Sequence, residues 1–269
     1  MTEYIRPQIL LTNDDSIDSP GLWAAAEALS ALGFVHVVAP RVQQTSMGRA
    51  LPRDSDHVVE EREVLVNGKL WPVYAVGGSP AQAVLHAVLS LMDMKPDLVV
   101  SGINYGENVA SGVTISGTVG AALEGASFGY PSLAISLQTA VHEHFSLSDR
   151  VDFSVAAHFT AFFAEKLLRK QTPFDVDVLK VDVPASATVE TPWILTRQSR
   201  QRYFEAISTT DPVNGKKHFS YRVLLEEEKI EKNSDLRTVL IDEKVSVTPL
   251  SLDLTSRVNF DDLRRLLEE

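Results

Sequence analysis

The sequence predicts an α/β protein built on a mostly parallel sheet with flanking helices. Three observations carry this. Short apolar runs suited to buried strands alternate with helical segments along most of the chain. Two helical segments open on the same signature, Ser19-Pro20 and Ser79-Pro80, a capping residue followed by proline at the first helical position. Residues 8–40 read strand, helix, strand, which is a βαβ unit and implies a right-handed crossover between parallel strands.

The elements follow in order. "QILLTN" (8–13) is a buried strand, "PGLWAAAEALSALG" (20–33) a helix capped by Ser19 and ended by Gly33, and "FVHVVAP" (34–40) the next strand. Residues 57–76 carry an Asn67-Gly68 turn between partly alternating segments, the mark of a β-hairpin excursion from the main sheet. The βα pattern then resumes with a helix over 80–92 and a strand over 96–104. A polar, glycine-rich loop (105–117) leads to a helix over 118–129, and a strand over 131–137 follows. An amphipathic helix (149–170) and a strand (177–184) complete a core of residues 1–184. The pattern weakens in a β-rich C-terminal extension, 185–269. It holds a strand with a basic end near 191–204, a charged loop or hairpin over 211–236, a β-like stretch at 244–256 and a terminal helix at 259–269.

Composition narrows the function. The 269 residues are 44% hydrophobic and 23% charged, ordinary for a globular chain. No apolar run approaches the ~18 residues of a membrane span. "MTEYIRPQ" does not read as a secretory signal, and with no cysteine a cytoplasmic location is expected. A net charge of −11 without a long Lys/Arg run disfavours nucleic-acid polymers, so an anionic substrate should be small and held through a metal.

In open α/β sheets ligands bind beyond the carboxyl ends of the strands. Three polar stretches fall there: Asn13-Asp14-Asp15-Ser16, "RVQQTSMGR" (41–49), and "SGINYGEN" (101–108) leading into Ser116-Gly117-Thr118. Paired aspartates suit a hard divalent cation such as Mg²⁺ or Mn²⁺; the competing reading is that they cap a helix. Asn104 is either a neutral oxygen ligand or a turn former. Ser116, Gly117 and Thr118 sit at a helix start, where free N–H groups make an anion site, unless they serve as a simple cap. No dinucleotide or P-loop glycine pattern is present. His86 and His158 lie in amphipathic helices and read as structural, as does the stripe Phe153, Phe159, Phe162, Phe163. His142 and His144, an i, i+2 pair of the kind that can bind a metal, read instead as part of a solvated loop, and the charged run 226–232 as solvated surface.

Taken together these stretches resemble the SurE (survival protein E) family of metal-dependent nucleotidases. "ILLTNDDSIDSPG" is similar to that family's strand, Asn-Asp-Asp-Gly and helix-opening Pro-Gly. "GGSPAQAV", "PDLVVSGINYGENV", "SGTVGAALEG" and "VSVTPLSLDLT" match further signatures, in order, from residue 9 to about 255. The resemblance implies a Rossmann-like core with an extension that exchanges between subunits of a homodimer or homotetramer. It implies hydrolysis of nucleoside 5′- and 3′-monophosphates with one divalent ion per subunit, Mn²⁺ or Mg²⁺. The ion's ligands would fall on Asp14, Asp15, Thr45 and Asn104. Phosphate binding would fall on Ser116, Gly117 and Thr118, with Asn13 and Asn108 nearby.

Two departures stand out. Ser16 replaces the family's Gly, and if that position needs φ > 0 it costs roughly 1–2 kcal/mol. Thr45 stands at the serine ligand, with Ser46 one residue away as the alternative hydroxyl. Asp14 is expected to act chiefly as a ligand, and Asp15 to orient or deprotonate water as well. The alternatives are a phosphatase or exopolyphosphatase of the same fold, and a non-catalytic nucleotide- or metal-binding module.

Overall fold

The computed structural model describes residues 6–211 and 215–268. Its strands are β1 (Gln8–Thr12), β2 (Phe34–Pro40), β3 (Val59–Val66), β4 (Lys69–Val76), β5 (Leu98–Tyr105), β6 (Ser132–Leu137), β7 (Val178–Val183), β8 (Trp193–Leu195), β9 (Phe204–Thr210), β10 (Lys217–Val223) and β11 (Val245–Leu250). Nine of them form one sheet in the order β3-β4-β2-β1-β5-β6-β7-β11-β8, and β9 and β10 form a separate hairpin. Neighbours from β4 to β7 are parallel, whereas β3 runs antiparallel to β4 and β11 antiparallel to β7.

Helices α1 (Pro20–Leu29), α2 (Pro80–His86), α3 (Gly117–Ser127) and α4 (Ser154–Arg169) cover the two faces. Alternation along β1 sorts the packing: Ile9 and Leu11 join the cluster of Leu22, Leu29, Phe159 and Phe163 under α1 and α4. Leu10 joins Val84 and Ala121 under α2 and α3. Burial on both sides explains why β1, β5 and β6 are buried at every position and mostly apolar, with only small or strand-end polar residues between.

The Asn67-Gly68 turn is left-handed at both residues (φ 48° and 74°), as a tight hairpin requires. The hairpin tip projects, with Leu65 and Leu70 exposed, while its base joins the sheet through Tyr74–Val76 against Val38–Pro40. Glu60, Glu61, Arg62 and Glu63 place charge on the outermost strand, which discourages edge pairing. Ser79 caps α2 with a full capping box to Gln82. Ser19 does not cap α1 as expected. Leu22 N–H already bonds the Ser19 carbonyl (3.1 Å), and the Ser19 hydroxyl is buried without a partner.

The chain runs from β1 to β2 on one side and resumes at β5 on the other side of β1. The strand order therefore reverses between β1 and β5, and a crevice opens beyond their carboxyl ends. The loop leaving β5 is held from beneath by a buried ion network that the sequence reading missed. Lys180 of β7 is fully buried, and its Nζ donates to Asp182 (2.5 Å) and to Asp235 (3.1 Å), the first residue of α5 (Asp235–Leu240). Burial opposes the ammonium charge, but the two carboxylates hold its pKa above the usual lysine range. Asp182 accepts the Asn108 N–H (2.7 Å), and Asp235 accepts those of Ala110 (3.1 Å) and Ser199 (2.8 Å). The loop between β5 and α3 is thus tied to both the sheet and the C-terminal extension.

The turn from β1 into α1 confirms the conformation suspected at Ser16, which is buried with φ 92°. Asn13 Nδ2 donates to the Ser16 carbonyl (2.9 Å), and Ser16 Oγ accepts from Asp18 N–H (3.3 Å). Left-handed strain on a residue with Cβ costs roughly 1–2 kcal/mol, partly offset in glycine by about 0.5–1 kcal/mol of extra chain entropy. Ser16→Gly should therefore raise stability by up to about 1 kcal/mol, and Ser16→Val, branched at Cβ, should lower it by roughly 1–3 kcal/mol. Denaturant titration of the two variants checks both signs.

Candidate active site

The β1 strand ends by turning Asp14 and Asp15 into the crevice, both almost completely buried. Asp14 faces α3. Its Oδ1 accepts the Thr118 hydroxyl (2.5 Å), and the Gly117 and Thr118 amides also hold its pKa down. A Cβ on Gly117 would stand 2.7 Å from Asp14 Oδ2, so only glycine admits the carboxylate this close to the helix start. Ser116 is the N-cap, its Oγ accepting from Val119 N–H (3.1 Å).

Asp15 is held by different elements. Its Oδ2 accepts the Tyr105 N–H (3.1 Å) and its Oδ1 the Gln43 side-chain amide (3.0 Å). The same Gln43 nitrogen reaches the His144 carbonyl (2.7 Å). Burial is the main force on both acids. It pushes Asp14 to about 6 against its hydrogen bonds, and, together with the Asp14 charge, pushes Asp15 to about 8. Among the described residues no Lys or Arg pairs with either.

The remaining sequence-predicted residues are distributed around this pair. Asn104, at the end of β5, donates from Nδ2 to the carbonyls of Tyr105 (3.1 Å) and Gly106 (2.7 Å), which fixes the amide and leaves Oδ1 without a hydrogen bond. Asn13 spends its Nδ2 on Ser16, while its Oδ1 is buried and unpartnered. The second loop is drawn in by Gln44, whose N–H bonds the Asp14 carbonyl (2.7 Å). Thr45 follows Gln44 and is half-buried, whereas Ser46 is exposed with φ 64°. Asn108 turns toward the ion network instead: its Nδ2 bonds Ser136 Oγ (2.8 Å) and its N–H bonds Asp182.

The donor set fits a hard divalent cation. Two buried carboxylates lack a positive partner, the hydrogen bonds of Asn104 run through its Nδ2 and not its amide oxygen, and no third carboxylate or imidazole joins them in a metal-holding cluster among the described residues. Neutral donors leave such an ion more charge to offer a phosphate.

Sequence reasoning also missed two polar features at the crevice. Gln43 lay inside the second loop but was not singled out; a long amide beside a paired-aspartate loop was the available signal. His144 was read as solvated, yet it is buried and its Nε2 lies against Gly106. Gly106 adopts φ 95°, and a Cβ there would come within 2.3 Å of the imidazole. His142, two residues earlier, is exposed as expected.

Comparison with known proteins places this geometry in context. The family model described as "Survival protein SurE" matches residues 9–205. The chain is 41% identical to the 5′-nucleotidase SurE of Thermococcus kodakarensis, over 97% of this chain and 98% of that protein. It is 42% identical to the 5′-nucleotidase SurE of Archaeoglobus fulgidus, over 94% of this chain and 95% of that protein. The crystal structure of the SurE protein from Aquifex aeolicus superposes with a TM-score of 0.74 at 33% identity, covering 98% of this chain and 100% of that one. From its end-to-end likeness to these proteins, this chain belongs to the SurE family.

Proposed function

We propose that the protein is a divalent-metal-dependent phosphomonoesterase that hydrolyses nucleoside 5′- and 3′-monophosphates. The observation that carries this reading is the uncompensated pair Asp14 and Asp15 at the strand-order reversal, facing the start of α3, in a chain of the SurE family. Asp14, Asp15, Thr45 and Asn104 would hold one Mn²⁺ or Mg²⁺ per subunit. When bound, the ion supplies positive charge against phosphoryl oxygens and Lewis acidity toward water. The start of α3 at Ser116, Gly117 and Thr118 would receive the phosphate, with the Ser116 hydroxyl proton available to donate, while the Thr118 hydroxyl and the Gly117 and Thr118 amides hold Asp14 at its edge. Asp15, clamped by Gln43 and the Tyr105 amide, is placed to orient the attacking water or take its proton. Asn13 braces the turn that carries both acids.

Purified protein incubated with nucleoside monophosphates, short polyphosphate and a chromogenic phosphomonoester tests the reading. Phosphate release is expected from the nucleotides with Mn²⁺ or Mg²⁺ and is expected to stop with EDTA. Asp14→Asn should lower kcat by more than about 100-fold, the upper end of what losing an outer-shell partner costs a metal site. Activity that survives complete metal removal contradicts the metal role. Preference for polyphosphate would favour the exopolyphosphatase reading, and no turnover with any ion would favour a binding module.

The raised acids set a pH dependence. Each holds a proton in the folded metal-free protein that the unfolded chain has released, since the ordinary value is 3.8 against about 6 and about 8. Stability contributed at low pH is therefore lost as pH rises through about 6 and then about 8. Thermal unfolding in EDTA should show this fall, Mn²⁺ should stabilise more at higher pH, and Asp15→Asn should flatten the slope. A melting temperature that rises across that window in EDTA, in step with wild type and variant, contradicts it.

The extension supports self-association. Helix α6 (Phe260–Glu268) exposes Phe260, Leu263, Leu266 and Leu267, and it makes no substantial packing against another element among the described residues. Leu254, in the segment between β11 and α6, is 92% exposed. We read this arm as the contact of a homodimer or homotetramer. Light scattering should give a multiple of 29.6 kDa for the full chain and a monomer after truncation beyond Leu250; a monomeric full chain contradicts this. No helix among the described residues is long and apolar enough to cross a membrane. A cytoplasmic location is the reading that a cysteine-free chain favours.

A further inference from the structure

The hairpin of β9 and β10 lies outside the main sheet, yet its aromatic residues close over the crevice. Ala206 pairs with Tyr221, and Phe204 with Val223, across the hairpin. Phe204 and Tyr221 meet edge to face with ring centroids 5.2 Å apart. Tyr221 Oη bonds His144 Nδ1 (2.9 Å), and the His144 ring meets Phe204 at 6.2 Å. On one side this cluster reaches the acids, because Gln43 joins the His144 carbonyl to Asp15. On the other it reaches the approach to α3: Phe204 lies 3.6 Å from where a Gly112 Cβ would stand, and Ser111 N–H bonds the Gln201 carbonyl (3.1 Å).

Phe204 rests one side on the small core cluster of Tyr203, Ile230 and Leu236, but neither ring is fully enclosed. Phe204 and Tyr221 are only half-buried, and Phe145 beside Tyr221 (centroids 6.1 Å) is 58% exposed. Arg222 on the same strand is engaged with Glu205 (2.7 Å), so the hairpin offers the crevice ring surface in preference to that charge. A half-open aromatic surface one side chain away from a phosphate site suits a flat π ligand tethered to a phosphate.

The geometry points to Phe204 and Tyr221 as the stacking platform for the base of the nucleotide whose phosphate is held at Asp14, Asp15 and the start of α3. This rests on the nucleotidase reading. Every base has a π face, so stacking alone accepts all four bases and ranks them by ring area. Purine nucleotides should bind more tightly than pyrimidine nucleotides, with little difference between adenine and guanine.

The experiment measures KM and kcat in Mn²⁺ for AMP, GMP, CMP, UMP and glycerol 2-phosphate, a phosphomonoester without a ring. Calorimetry measures binding of adenosine, which has the ring but nothing to hydrolyse. Tyr221→Ala and Phe204→Ala should each raise nucleotide KM by roughly fivefold to hundredfold and weaken adenosine equally, with kcat and the glycerol 2-phosphate KM unchanged. Tyr221→Phe, which keeps the ring and loses the His144 hydrogen bond, should retain wild-type KM. A parallel loss for glycerol 2-phosphate, or a Tyr221→Phe variant as impaired as Tyr221→Ala, overturns the platform. Adenosine binding that depends on both rings in a protein that turns over no nucleotide supports the platform while refuting the nucleotidase reading.

Discussion

Two acids buried side by side govern this structure. Asp14 and Asp15 are removed from water at the end of β1, where each unpaired carboxylate is costly. The fold meets part of that cost with donors from three directions: Thr118 and the α3 amides on Asp14, and Gln43 and the Tyr105 amide on Asp15. No protein cation completes the balance among the described residues. Without an ion the acids keep protons to high pH; a bound cation would let both ionise. That exchange links the local geometry to the proposed reaction, since a cation fixed there meets a phosphate presented to the helix start.

The surrounding architecture keeps those donors in place. The reversal of strand order puts the ends of β1 and β5 side by side, so Asn104 and the acids share one crevice. The loop between Asn104 and Ser116 is long, and it is anchored through the N–H groups of Asn108 and Ala110 to carboxylates neutralised by Lys180. Breaking such a buried network by removing one partner typically costs about 3–5 kcal/mol. The strained Ser16 turn is held by Asn13 on the same principle: local strain persists where several bonds determine it. Through Asp235 and Ser199 the extension also grips the loop, so the distal part of the chain shapes the crevice as well as its own surface.

Much of this was readable in the sequence. Strands buried on both faces announce themselves as apolar runs, and Ser-Pro marked the starts of α1 and α2. Residues at strand ends stood out because polar groups there have no core to serve, which is why Asp14, Asp15, Asn104 and Ser116–Thr118 were singled out as candidates. What stayed hidden depends on contacts distant in sequence. Gln43 meets the His144 carbonyl across 101 positions, and no local pattern encodes that pairing. Lys180 and Asp182, two apart in an apolar strand, share a face, but their partner Asp235 lies 55 residues beyond Lys180. The hairpin of β9 and β10 did carry a tight-turn signal, Asn214-Gly215, but the charged residues around it read only as a loop or hairpin over 211–236, and its rings showed no clear periodicity. Ser19 shows the opposite error: the cap signature is present, but a main-chain carbonyl does the work.

The most direct measurement is anomalous diffraction at the manganese edge from crystals soaked in Mn²⁺. The account predicts one strong peak in the crevice, about 2.1 Å from carboxylate oxygens of both Asp14 and Asp15 and within coordination reach of Asn104 Oδ1. A Mn²⁺-soaked crystal with no peak there, or with the ion bound elsewhere while the two acids keep only their Thr118 and Gln43 partners, would contradict it.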